Sequence, residues 1–263
     1  MLGTLDCSPG RLEKARRPTK PPSNGGRAVR IELEIEVITT DFDRVRVVNL
    51  PERTDRRAEM IREFKALGVW GDPKIDFHPA TRATIATPWR SKGEHGCFLS
   101  HLAVLEEAAK AGDSVLLLED DCDFTLPARR DVPPVDVLWG GYSLEERHIE
   151  GAHCMGFSAE AAKRLVPYLR ALLHHPSPAP VDGAYILFCR DNPDLKVLAC
   201  SPMLAVQRPS TSDIAGPSTV GRSSLLQPIV TLGRGVKRAL KRRINISGQG
   251  QQAFDQLVSR LKS

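Results

Sequence analysis

Residues Glu119-Asp-Asp-Cys-Asp123 place four carboxylates within five positions, directly after the all-aliphatic run Val115-Leu-Leu-Leu118. Four like charges at the end of a buried segment repel one another and are costly to keep ionised unless a cation neutralises them. Oxygen donors at this density suit Mg2+ or Mn2+ better than zinc, and such an ion commonly bridges to a diphosphate. Glu119 and Asp121 are two apart and share a face if the strand persists, whereas Asp120 points away. Asp121 reads as a direct ligand beside Glu119, with Asp123 joining them once the chain has left the strand and can turn.

These carboxylates need a frame. Val115–Leu118 shows no alternation, as expected of a strand covered on both faces, and in open α/β sheets ligands bind outside the carboxyl ends of such strands. A helix from Glu94 to Ala111 precedes it, with Phe98, His101, Leu105 and Ala108 at helical intervals and Gly112 as its stop. His101 reads as a core histidine or as a site group. Earlier, Val45–Leu50 reads as a strand, followed from Thr54 by a helix carrying Met60, Ile61, Phe64 and Leu67 on one face and ended by Gly68. Ile31–Val37 alternates apolar and acidic residues, the pattern of an edge strand. Downstream, the pattern predicts strands at Val135–Trp139, His153–Phe157, Tyr185–Phe188 and Val197–Ala199, and a helix at Ala159–Leu173. The class is α/β, a mixed sheet flanked by helices.

Composition bounds the rest. The chain has 263 residues, 41% hydrophobic and 26% charged, which excludes a fibrous or wholly disordered protein. No run approaches the roughly 20 apolar residues of a membrane span, and no charged-then-apolar segment opens the chain. The expectation is a cytoplasmic protein. The net charge of +5 is unevenly spread. Residues 1–30 carry seven basic and two acidic groups, residues 216–263 nine and one, and the middle is left at about −8. That is not the basic face a nucleic-acid partner requires. Residues 1–30 read as a disordered basic arm, 31–214 as the folded domain, and 215–263 as a basic linker and amphipathic helical tail. Within the tail, 234–243 hold six Lys or Arg, while Val236, Leu240 and Ile244 share one helix face, a pattern that fits peripheral contact with the inner face of a membrane. The six cysteines are widely spaced, with no C-x-x-C and no Cys/His pairing at zinc-site intervals, which fits a reducing compartment. Cys97, Cys154 and Cys189 read as small core residues.

Six segments in series carry a resemblance: Val47-Val-Asn-Leu-Pro-Glu-Arg-Thr-Asp-Arg-Arg57, Phe77-His-Pro-Ala80, Ser91-Lys-Gly-Glu-His-Gly-Cys-Phe-Leu-Ser-His101, Leu116-Leu-Leu-Glu-Asp-Asp121, Pro180-Val-Asp182 and Ser201-Pro-Met-Leu-Ala-Val-Gln207. In order and spacing they resemble glycosyltransferase family 25, which includes bacterial lipooligosaccharide β-galactosyltransferases and collagen galactosyltransferases. The resemblance covers about residues 45 to 214. It implies a GT-A type, Rossmann-like fold and transfer of a hexose, with galactose the family's sugar, from a UDP-sugar with inversion at the anomeric carbon. It further implies Mn2+ or Mg2+ as cofactor and a glycan, lipid-linked saccharide or glycoprotein as acceptor. Under it, Asn49, Arg53, Arg56, Arg57, Ser91, Gly93 and Asp120 would line the donor, with Arg suited to a ribose or diphosphate rim. Glu119, Asp121 and Asp123 would hold the metal. Asp182 would be the general base, ahead of Asp213, and Glu94 a further catalytic group. GT-A enzymes often add a late His ligand, which this chain lacks beyond His175; Gln207 or Asp213 could substitute.

Two other readings compete. Asp121-Cys-Asp-Phe-Thr125 resembles the D-x-D-x-T opening of haloacid-dehalogenase-type phosphohydrolases, with Asp121 as nucleophile and Asp123 as acid/base. No G-D-x-x-x-D follows to complete it. The third reading is a catalytically silent nucleotide-sugar-binding scaffold.

Overall fold

Alternation between two apolar faces sets the centre of the fold. The computed structural model describes residues 38–125, 133–145, 148–208 and 255–256. Its elements run β1 (Arg44–Asn49), α1 (Thr54–Leu67), β2 (Ile75–Pro79), α2 (Lys92–Ala111), β3 (Val115–Glu119), β4 (Cys122–Phe124), β5 (Val137–Glu145), β6 (His148–Phe157), α3 (Ala159–Leu173), α4 (Val181–Asp191), β7 (Val197–Ala199) and β8 (Ala205–Gln207). Six strands form one mixed sheet in the order β2-β1-β3-β6-β5-β7, and β4 pairs with β8 in a separate two-stranded sheet. β3 lies parallel to β1 and antiparallel to β6. Val115 and Leu117 join the core shared with α2, α3 and α4, while Leu116 and Leu118 join the one beneath α1. The sheet is covered on both faces, as the unbroken aliphatic run predicts.

Helix ends follow their cap chemistry. Gly68 and Gly112 close α1 and α2 at φ of 84° and 79°, a left-handed conformation that glycine adopts without a Cβ penalty. Ser91 caps α2 by accepting the backbone N–H of Glu94 at 3.0 Å. α3 spans the residues its spacing predicts.

Three expectations are corrected. Tyr185–Phe188 is not a strand but the middle of α4. A four-residue apolar run does not distinguish the two, and the helix spacing of the buried Ala184, Tyr185, Phe188 and Cys189 decides it. The strands predicted at Val135–Trp139 and His153–Phe157 are the open end of a longer hairpin, β5–β6, in which the first strand starts only at Val137. β2, β4 and β8 were not foreseen, being short or lacking alternation. No helix among the described residues is long and apolar enough to cross a membrane. The arm at 1–30, the strand predicted at Ile31–Val37, Asp213 and the basic run 234–243 lie outside the described residues; of the tail, Asp255 and Gln256 are described and are helical.

Candidate functional site

Parallel register brings the first group together. Val48 pairs with Glu119 across β1 and β3, so the next residues, Asn49 and Asp120, emerge side by side at the strand ends. Asn49 Nδ2 donates to Asp120 Oδ2 at 2.7 Å. Arg56, on the buried face of α1, donates from Nη1 to Asp120 Oδ1 at 2.6 Å and lies 3.6 Å from Asp121 Oδ2. Gln207 Nε2, from β8, donates to Asp121 Oδ2 at 3.4 Å. Asp121 Oδ1 is buried and makes no hydrogen bond. Burial, reinforced by the Glu119 charge, pushes the Asp121 carboxyl up to about 7 against the pull of Arg56. Burial also acts to raise Glu119, but the imidazole of His101, 3.6 Å away, outweighs it and holds that carboxyl below its usual value.

The proposed metal trio does not converge. β3 ends at Glu119, so the alternation that would align Glu119 with Asp121 stops there. Glu119 keeps to the face of Leu117 and meets His101 on α2, while Asp120 and Asp121 occupy the turn. Asp120 does not point away: it lines a cavity with both neighbours. Asp123 belongs to a new strand, β4, and faces Arg208, whose Nε and Nη2 reach its Oδ1 at 2.9 and 2.8 Å. Among the described residues, the acid, thiol and imidazole donors within 4.8 Å of one another are Cys97, His101 and Glu119. Cys97 and His101 are four apart on α2 and so lie one above the other on one helix face.

Two cavities flank this region. The smaller, about 150 Å³, sets three cations, Arg56, Arg82 and Lys92, against three carboxylates, Glu119, Asp120 and Asp121, with Gly93 at the start of α2. The larger, about 850 Å³, has an acidic wall of Glu94, Glu119, Glu150 and Asp182, with Ser91 and Arg90 at its edge. Cys97, Glu119 and Gln207 line both. Asp182 sits in the first turn of α4, where its oxygens accept the backbone N–H of Gly151 and of Gly183, each at 2.9 Å. Glu94 is engaged by Arg90 at 3.1 Å.

Of the three arginines near the start of α1, only Arg56 faces the site. Arg53 pairs with Asp55 at 3.0 Å, and Arg57 lies 4.0 Å over the Phe77 ring. The buried face of α1 carries Arg56, Met60, Glu63, Phe64 and Leu67, and a one-residue offset turns Arg57 away from it. Arg82, Lys92, Glu150 and Arg208 went unnoticed in the sequence because each is a lone charge in a loop, helix or strand end. Cys97 with His101 corrects the expectation that no Cys/His pair stands at a metal-ligand interval: their four-residue spacing puts both on one face of α2 beside Glu119.

Gly96 also matters. A Cβ there would overlap the Thr81 carbonyl oxygen, so the absence of a side chain lets α2 lie directly against the 81–83 segment at the rim of the smaller cavity. Gly96→Ala is expected to cost on the order of 1–3 kcal/mol in denaturant unfolding, since backbone rather than a flexible side chain must give way.

No family model matches this chain. One curated human protein, named Inactive glycosyltransferase 25 family member 3, is 29% identical over 126 residues. The similarity is to the glycosyltransferase 25 family. It covers 41% of this chain and 19% of the human protein, so the chain spans about a fifth of the length of the relative it matches.

Proposed function

We propose that this chain is an inverting, metal-assisted glycosyltransferase of the GT-A type that moves a hexose, most simply galactose, from a UDP-sugar to a glycan, lipid-linked saccharide or glycoprotein hydroxyl in the cytoplasm. The observation that carries the reading is the pairing of a small cavity, where Arg56, Arg82 and Lys92 face Glu119, Asp120 and Asp121, with a larger, carboxylate-walled one across the strand ends of β1 and β3. The distant similarity to a family 25 member supports the same class.

In this reading the donor diphosphate lies in the smaller cavity against Arg56 and the start of α2, where free backbone N–H groups favour anions. Arg56 now neutralises Asp120 and Asp121 and would share its charge with the phosphates. The buried, unpartnered Asp121 Oδ1 fits an oxygen-seeking divalent ion, with Glu119 nearby in the same cavity. Bound there, Mn2+ or Mg2+ would stabilise charge on the leaving UDP. The acceptor occupies the larger cavity. Asp182, held by the two backbone N–H groups, accepts the proton of the acceptor hydroxyl as its oxygen bonds to the anomeric carbon and the bond from that carbon to the UDP oxygen breaks. Glu94, already paired with Arg90, positions rather than abstracts.

The phosphohydrolase alternative needs Asp121 and Asp123 at one pocket, and the engagement of Asp123 by Arg208 argues against it. A silent nucleotide-sugar-binding protein is favoured by one observation, that the human relative is named inactive. Calorimetric titration with UDP, with and without Mn2+, followed by a UDP-release assay with each UDP-hexose, separates these readings. Metal-dependent UDP binding, lost in Asp121→Ala, with slow release of UDP from one sugar nucleotide is the expected result. Binding without release would favour the silent reading, and no binding, with p-nitrophenyl phosphate turned over in Mg2+, would overturn both.

A further inference from the structure

The thiol of Cys97, the imidazole of His101 and the carboxylate of Glu119 meet on the wall between the two cavities, with donor atoms within 4.8 Å of one another. This donor set differs in kind from the all-oxygen strand end: one soft sulfur, one borderline nitrogen and one hard oxygen are the ligands of zinc-like ions, not of Mg2+. His101 is fully buried, and its Nε2 makes no hydrogen bond. It is met by charge alone, and an ion seated between it and a carboxylate would satisfy both groups. Glu119 Oε1 lies 3.6 Å from it, an ion-pair contact longer than a hydrogen bond. Ligands about 2.0–2.3 Å from a tetrahedral ion stand roughly 3.3–3.8 Å apart, so the His101 to Glu119 separation already has the spacing a shared ion imposes.

The other face of the ring is prepared for the same purpose. His101 Nδ1 shares a 3.0 Å hydrogen bond with the buried Tyr185 hydroxyl, and the Tyr185 ring is wedged against Trp139 and Phe157. A metal-binding histidine almost always has its second nitrogen tied in this way, which fixes the ring and leaves Nε2 facing the metal. Cys97 and Glu119 line both cavities, so the fourth coordination position would open onto them.

We propose that Cys97, His101 and Glu119 form a site for a thiophilic divalent cation of the Zn2+ class, with three protein ligands and one open position. Binding converts the Cys97 thiol to a thiolate and releases its proton to solvent. The site shares Glu119 with the strand-end cation of the transferase reading, but its evidence involves no nucleotide and its cobalt–thiolate signature comes from Cys97 alone.

The test uses the full chain, reduced and stripped of metal, titrated anaerobically with Co2+ as a spectroscopic stand-in. The expected result is one bound Co2+ with a thiolate-to-cobalt charge-transfer band and tetrahedral visible bands, all displaced by one equivalent of Zn2+. Cys97→Ser abolishes the charge-transfer band, and Cys189→Ser, a buried cysteine on α4, keeps it. Tyr185→Phe, which alters one hydroxyl only, retains the band but weakens Co2+ binding by roughly tenfold or more. Absence of the band from the wild-type chain overturns the proposal, as does a band that survives Cys97→Ser. Unchanged affinity in Tyr185→Phe removes the role given to His101 and likewise overturns the site as drawn.

Discussion

Asp121→Asn should make the metal-free protein more stable while removing metal-dependent UDP binding. The folded-state carboxyl of Asp121 titrates at about 7 rather than the ordinary 3.8, because burial and Glu119 disfavour its charge. Between those values the folded protein holds a proton that the unfolded chain has already lost. The stability this proton provides is complete below about pH 4, declines as pH rises, and is gone above about pH 7. Asparagine has no such dependence. The variant's advantage should therefore be small at pH 4, grow through pH 7, and level off on the order of 2–4 kcal/mol. Urea unfolding at pH 5 and pH 8 in a chelating buffer checks this. Mn2+ should recover the wild-type deficit at pH 8 and do little for the variant. An advantage that does not change with pH would mean that Asp121 carries no excess charge in the folded state.

Arg208→Met is the second large effect, of opposite sign. Arg208 is 7% exposed and holds the acidic turn by several means at once. Its guanidinium pairs with the buried Asp123 and with Glu59 on α1, and it donates to the carbonyls of Asp120 at 3.3 Å and Cys122 at 3.0 Å. Methionine keeps the length of the side chain and removes every one of these contacts. Taking one partner from a buried ion pair leaves the other charge poorly compensated, at a cost of about 3–5 kcal/mol. Asp123→Asn in the same chain should recover about half, a coupling that a double-mutant cycle measures directly. UDP affinity should fall with the single variant, since the turn carrying Asp120 and Asp121 loses its anchor. A loss under about 1 kcal/mol would show that the backbone bond from Arg208 N–H to the Asp121 carbonyl, 2.7 Å long, holds the turn unaided.

Long, strongly patterned elements were legible without coordinates. The stripe Met60, Phe64, Leu67 and its closing glycine defined α1, and Val115–Leu118 announced a strand buried on both sides. Asn49, Arg56 and Asp120 were grouped as donor-lining residues by the family resemblance, with Asp121 as a metal ligand; the parallel pairing of β1 and β3 is what brings them to one edge. What could not be read was direction. Whether Asp123 continues a cluster or begins a new strand depends on its pairing partner 83 positions away, Val206. Tyr185 packs as part of α4 because α2 and β6 surround it, which local propensity does not encode. Single charges such as Arg208 and Glu150 gain meaning only from tertiary neighbours.

The partition formed by Cys97, Glu119 and Gln207 has a consequence for how such a protein can change over generations. Each residue comes from a different element, α2, β3 and β8, and each faces both chambers. A substitution that reshapes one chamber is felt at once in the other, so under the proposed transfer reaction mutations favouring a new donor and a new acceptor would be epistatic rather than additive. Specificity on the two sides would have to drift together, through a few permitted combinations at three positions. A lineage that lost transfer through this wall could keep both chambers, and with them the ability to bind.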